Sequence, residues 1–248
     1  MALDQIPVEG AVGEIVLNVA RPSKSMDTGY ALLLCHGLPL SRGGGRIASR
    51  LLPELAEHIS AESGWAVATT SLRGVGVTAG TFSASGWRSD LNSVIGTLVE
   101  RVNGISLAGF GFGGSLALRV TAESDSVRGV ASLAAPADLR SWCGTPETFS
   151  EACHRAGVVG DEPLAEAHEL MDDVLNVDPL GAAAGVPPRR MMVVHGADDA
   201  VVPSSEARRL VDAADGHAEL RIIQGAGHWL RADPRMVATL LGWLDRQR

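Results

Sequence analysis

The feature that most limits what this chain can fold into is an alternation. Short, nearly continuous apolar runs are separated by longer stretches of helical periodicity. The strand-like runs are 13–20 (GEIVLNVA), 30–37 (YALLLCHG), 64–74 (GWAVATTSLRG), 104–109 (GISLAG), 127–136 (VRGVASLAAP), 189–199 (RRMMVVHGADD) and 217–228 (HAELRIIQGAGH). Helical patterns lie between or after them at 51–63, 87–102, 113–124, 204–215 and 233–248. A strand that is apolar at nearly every position is covered on both faces. Strands alternating with helices therefore give an α/β fold, a mainly parallel, doubly wound sheet between two helical layers. With 248 residues, 46% of them hydrophobic, residues 1–248 suffice for one such domain.

The alternation breaks at 137–188. Two helical patterns occur there, TPETFSEACHRAG and EPLAEAHELMDDVL, followed by the small-residue tract GAAAGVPP, which reads as a hinge. Excursions of this length are usually functional, so residues 138–185 are expected to form a helical lid inserted in the domain.

Charge narrows the class of partner. The formal net charge is −8 and the sequence pI is about 5.3. An acidic surface repels phosphate backbones, which argues against nucleic acid. No stretch has the length and apolarity of a membrane span. The first twenty residues carry Asp4, Glu9 and Glu14 and lack the basic start of a secretory signal. Three cysteines, Cys35, Cys143 and Cys153, have neither metal-ligand nor redox spacing. The expectation is a cytoplasmic protein that handles a small molecule, with no metal or cofactor.

Chemistry concentrates where strands end. Residues 109–114 read GFGFGG, between a strand and a helix. Gly109, Gly111 and Gly114 fit the dinucleotide pattern G-x-G-x-x-G. That pattern, however, opens on the first strand of its unit and has an acid about 20 residues on. Here it follows the fourth strand, and Asp138 lies 29 positions beyond Gly109. The same letters fit the nucleophile turn G-x-S-x-G, with Gly111 where serine is expected. Later strands end in HGADDAVVP, with Asp198 and Asp199, and in GAGHW, with His228. Turn, acid and histidine in that order match the nucleophile, acid and base of a hydrolase triad.

On these motifs the chain resembles the α/β-hydrolase superfamily, near its dienelactone-hydrolase-like and serine-peptidase-like members. The resemblance implies the α/β-hydrolase fold, Asp199 as the acid in preference to Asp198, and His228 as the base. It also implies an oxyanion hole from the backbone amides of Leu38, after His36-Gly37, and of Phe112. Trp142, Phe149 and Met171 are expected to line an apolar pocket beneath the lid. The departure is Gly111, which removes the covalent nucleophile but relieves the strain that positive φ places on a side chain there.

Three functions are compatible with such a site. One is a member of an ester, lactone or thioester hydrolase family without serine catalysis. Another is a pseudoenzyme that binds a small acyl or lactone-like ligand. The third is non-covalent general-base catalysis by His228 and Asp199. His36 and His195 read as structural, Arg73 and Asp90 as a bracing pair, and Ser115 as too far along its helix to replace the missing hydroxyl.

Overall fold

In the computed structural model, which describes residues 3–161 and 163–247, eight strands form one sheet in the order β1-β2-β4-β3-β5-β6-β7-β8. They are β1 (Asp4–Gly10), β2 (Gly13–Ala20), β3 (Tyr30–Cys35), β4 (Ala66–Thr70), β5 (Gly104–Phe110), β6 (Val127–Leu133), β7 (Arg190–Gly196) and β8 (Ala218–Ile223). The pairs β1/β2 and β2/β4 are antiparallel, and every later pair is parallel. This is the α/β-hydrolase fold.

Strand β1, DQIPVEG, carries no strand signal in the sequence, because its apolar residues are few and Pro7 interrupts it. Pro7, opposite Val16, is tolerated because β1 is an edge strand with one side free of any ladder.

Helices α1 (Leu52–Ser63), α2 (Ala84–Val99), α3 (Phe112–Glu123), α4 (Leu139–Cys143), α5 (Pro146–Ala156), α6 (Ala167–Leu175), α7 (Pro179–Gly185), α8 (Ser205–Ala213) and α9 (Pro234–Asp245) cover the sheet. Neighbouring residues of β3 feed opposite faces, as the pleat requires. Leu33 packs in the core shared with Leu91 of α2 and Leu116 of α3. Leu32 and Leu34 pack with Ile59 of α1 and Trp243 of α9. Helix α2 begins three residues earlier than its periodicity suggests, because the Ser83 side chain accepts from the Gly86 amide and caps it.

The segment expected to be a lid is helical, but most of it is built into the helical layer. Helix α6 packs against α5 and α2, and α7 against α3 and α8. The tract GAAAGVPP is no hinge. Its first residues complete α7, where Ala182 and Ala183 are fully buried and small enough for close approach to α3. The α4–α5 half reaches the carboxyl ends of the strands. There the Arg155 carbonyl accepts from Gly43 N–H at 2.8 Å and the Val158 carbonyl from Phe82 N–H at 2.9 Å. Among the described residues no helix is long and apolar enough to cross a membrane.

Candidate active site

Strand β5 runs into α3 through a single residue, Gly111, with φ 54° and ψ −128°. Its flanking glycines answer a different need. A Cβ on Gly109 would lie 2.2 Å from the Gly113 carbonyl oxygen, and one on Gly113 would lie 2.1 Å from that of His36. Both contacts are with backbone, so these two positions exclude any side chain. A Cβ on Gly111 would meet only His228, with Nε2 at 3.7 Å and Cε1 at 3.9 Å, which is ordinary contact. Packing thus demands glycine at 109 and 113, whereas at 111 only the positive φ favours it.

The loop after β3 closes over this turn. A Cβ on Gly37 would be 2.8 Å from the Phe110 carbonyl oxygen and 3.9 Å from Gly111 Cα, so the chain bearing Leu38 runs directly beside the turn. Phe112 is the first residue of α3, and amides of a first helical turn have no acceptor inside the helix. The Phe112 ring stacks on Trp142, with centroids 5.5 Å apart and planes 3° from parallel.

His228 Nδ1 lies 2.8 Å from Asp199 Oδ2. A carboxylate only accepts, so Nδ1 carries the proton and Nε2 presents its lone pair toward Gly111. The Asp199 side chain is wholly buried. Burial on its own would raise its pKa. Hydrogen bonds from His195, His228 and the Val202 and Val201 amides outweigh it and hold the carboxyl well below the usual range. Oδ1 takes both amides at 2.8 Å. His195 Nε2 is 3.3 Å from Asp199 Oδ2 and 2.9 Å from the Val202 carbonyl. Both partners are acceptors, so this nitrogen is the donor and His195 braces the acid from below. Asp198 is exposed and makes no hydrogen bond to His228.

The remaining polar residues singled out in the sequence are structural. His36 donates from Nδ1 to the Gly37 carbonyl at 3.0 Å and accepts at Nε2 from Leu72 N–H at 3.0 Å. Burial pushes its pKa down to about 4, against a small opposing effect of the Gly37 hydrogen bond. Arg73 binds Asp90 through Nη2 at 2.5 Å and Nε at 3.0 Å, and its own amide donates to the same carboxylate at 3.0 Å. This buried pair fixes the loop leading to α2. Ser115 Oγ donates to the Pro136 carbonyl at 2.7 Å, fully buried. Cys143 and Cys153 are buried and free, and burial pushes both thiols up to about 12, so neither is an available thiolate.

A cavity of about 250 Å³ opens above Gly111. Leu38, Phe112, Trp142 and His228 line it. Phe149 and Met171, expected there, do not: they are 1% and 2% exposed and belong to the core behind α3. The correction follows from the packing of α5 and α6, which turns these side chains inward. The wall also includes Ile47 and Ser41 in the loop after β3, and Trp229 and Arg231 beyond the histidine. These residues went unassigned in the sequence because no motif marks them. Their only signal was nearness to His36-Gly37 and His228.

A model of the prolyl oligopeptidase family matches residues 100–248. No curated protein matches the chain in sequence. Among solved structures, an α/β serine hydrolase without a lid from Xanthomonas campestris is 21% identical with a TM-score of 0.65, over 99% of this chain and 93% of that one. An α/β serine hydrolase homologue from Coxiella burnetii is 22% identical with a TM-score of 0.66, over 100% and 98%. The esterase domain of a Rhodothermus marinus protein is 19% identical with a TM-score of 0.68, over 100% and 98%. At such identities the likeness is one of fold.

Proposed function

Because the chain belongs to the prolyl oligopeptidase family, and hence among the α/β-hydrolases, we propose that it hydrolyses small carboxylic esters, lactones or thioesters without a covalent enzyme intermediate. In this reading His228 acts as general base on water. The observation that carries it is the oriented pair: Asp199 fixes Nδ1–H of His228 at 2.8 Å, which leaves Nε2 aimed at the space over Gly111. That space, where a serine would have placed its Cβ and Oγ, has room for about one water molecule.

The chemistry follows from this placement. The substrate carbonyl oxygen lies against the amides of Leu38 and Phe112. Nε2 takes a proton from water as the water oxygen bonds to the acyl carbon, and the amides hold the oxyanion that forms. The tetrahedral species then collapses, breaking the bond to the leaving alkoxide or thiolate, which takes the proton back from His228. The products are a carboxylic acid and an alcohol or thiol, joined in one hydroxy acid when the substrate is a lactone. The anionic Asp199 stabilises the transient imidazolium. Without an internal nucleophile the rate is slow, because the proximity gained by a tethered hydroxyl is lost.

The partner this reading requires is a small molecule, and no metal or cofactor takes part. Three free cysteines suit a reducing compartment, and we place the protein in the cytoplasm. The test is a panel of 4-nitrophenyl esters, lactones and thioesters. Slow turnover without a burst is expected, no acyl-enzyme should be visible by mass, and His228→Ala should lower the rate by about 10²–10⁴. Turnover unaffected by that substitution refutes the mechanism. Saturable binding without turnover of any substrate leaves a ligand-binding protein instead, a reading that the mainly apolar wall of the cavity also suits.

A further inference from the structure

Apart from Ser41 and His228, the polar side chain on the cavity wall is Arg231. It is half-buried, and desolvation lowers its pKa. Among the described residues no carboxylate ion-pairs with it and it donates no hydrogen bond; its contact is the Trp229 ring, whose centroid lies 4.8 Å from the guanidinium carbon. The acid nearest in sequence, Asp233, is already engaged. Arg235 holds it through Nη2 at 2.7 Å and Nε at 3.0 Å, and the Arg235 amide donates to it at 2.9 Å. A one-turn helix at Leu230–Ala232 carries Arg231 to the wall, three residues beyond the base.

A second observation is independent of the first. The loop that supplies the facing wall carries Arg42, Arg46 and Arg50, all exposed, without an acid between residues 38 and 53. Among the described residues none of the three is ion-paired. Three arginines thus lie on the loop whose Ser41, Gly44, Ile47 and Ala48 line the cavity, in a chain whose net charge is −8. Two acids close in sequence to Val201 of the cavity wall oppose them, exposed Asp198 and the buried carboxylate of Asp199. Cations clustered on that loop favour the approach of an anion.

We infer that the acyl compound taken into this cavity carries a free carboxylate, which Arg231 receives as a two-pronged partner while the carbonyl lies over Gly111. The guanidinium fork fits the two oxygens of a carboxylate, and one unpaired cation balances one negative charge. The aliphatic part of the ligand lies along Leu38, Phe112 and Trp142. The substrate class is therefore a short dicarboxylic acid esterified at one end only. The acyl end of this assignment rests on the hydrolase reading, whereas recognition of the charge does not.

The experiment compares monomethyl glutarate, an anion at pH 7, with neutral dimethyl glutarate by titration calorimetry at about 0.15 M salt, where exposed charges are screened. The anion is expected to bind about tenfold or more tightly, the scale of a hydrogen-bonded ion pair. Arg231→Gln should bring the two affinities together, and Arg231→Lys should retain part of the preference. Equal affinities in the unaltered protein overturn the inference, as does a preference that survives in folded Arg231→Gln. Tighter binding of monobutyl phosphate than of monomethyl glutarate overturns the carboxylate assignment. Hydrolysis is scored separately with 4-nitrophenyl butyrate and mono-4-nitrophenyl glutarate. Selective binding of the anion without any hydrolysis removes the hydrolase reading and supports the charge assignment. Hydrolysis of both esters with equal kcat/KM removes the charge assignment and supports the hydrolase reading.

Discussion

Restoring a hydroxyl at the turn separates backbone strain from packing in one substitution. Gly111 has φ 54°, and a side chain held in such a region costs about 1–3 kcal/mol. Its Cβ would have no closer neighbour than His228 Nε2 at 3.7 Å, so overpacking adds nothing. Restricting the unfolded chain offsets about 0.4–1 kcal/mol. Gly111→Ser is therefore expected to lose about 1–2 kcal/mol in urea unfolding, or about 2–8 °C in Tm for a chain of this size. Gly111→Ala, with the same Cβ and no hydroxyl, should match it within about 0.5 kcal/mol. Gly113→Ala should lose more than either, because its Cβ would lie 2.1 Å from the His36 carbonyl oxygen and backbone cannot swing aside. The serine variant alone should label with a fluorophosphonate, and its esterase rate should rise by at least about 10². A Gly111→Ser protein that loses more stability than Gly113→Ala would refute the separation of strain from packing. A folded serine variant that does not label would refute the view that His228 Nε2 and the neighbouring amides are set for a nucleophile at this position.

Asp199→Asn presents an amide to His228 in place of a carboxylate and should lower any turnover by about 10⁴, as the wrong tautomer is then favoured. In the unaltered protein the depressed Asp199 pKa contributes stability that is present above its ordinary value of 3.8 and is lost as pH falls below it. Acid titration of the urea midpoint should show a weaker decline below pH 3.8 in the Asn variant. His36 works in a higher window. Its pKa is lowered from 6.5 to about 4, so the unfolded chain binds the extra proton and stability falls as pH drops from 6.5 toward 4, by up to about 3 kcal/mol; His36→Gln should flatten that limb. Asp90→Ala strands the buried Arg73 guanidinium and should cost about 3–5 kcal/mol in chemical unfolding, with Arg73→Met/Asp90→Leu recovering much of it.

Much of this architecture is legible in one dimension because its determinants are local. Apolar runs such as YALLLC can be satisfied only between two helical layers, and motif order along the chain marked the turn at Gly111, the acid and His228. Other features depend on what approaches from elsewhere. Strand β1 is silent in the sequence because it pairs with one neighbour at an edge, and an edge tolerates both Pro7 and a weak apolar pattern. The small residues of α7 resemble a hinge in the sequence, since smallness reads as flexibility until a second helix lies against it. Phe149 and Met171 are apolar whether they face a ligand or a core, and the packing of α5 and α6 sent them to the core. Periodicity fixes which face of a helix is buried but not against what. That choice belongs to the tertiary structure, as does the convergence of Arg231 and the arginine-bearing loop on one cavity, because residues brought together from distant positions share no pattern along the chain.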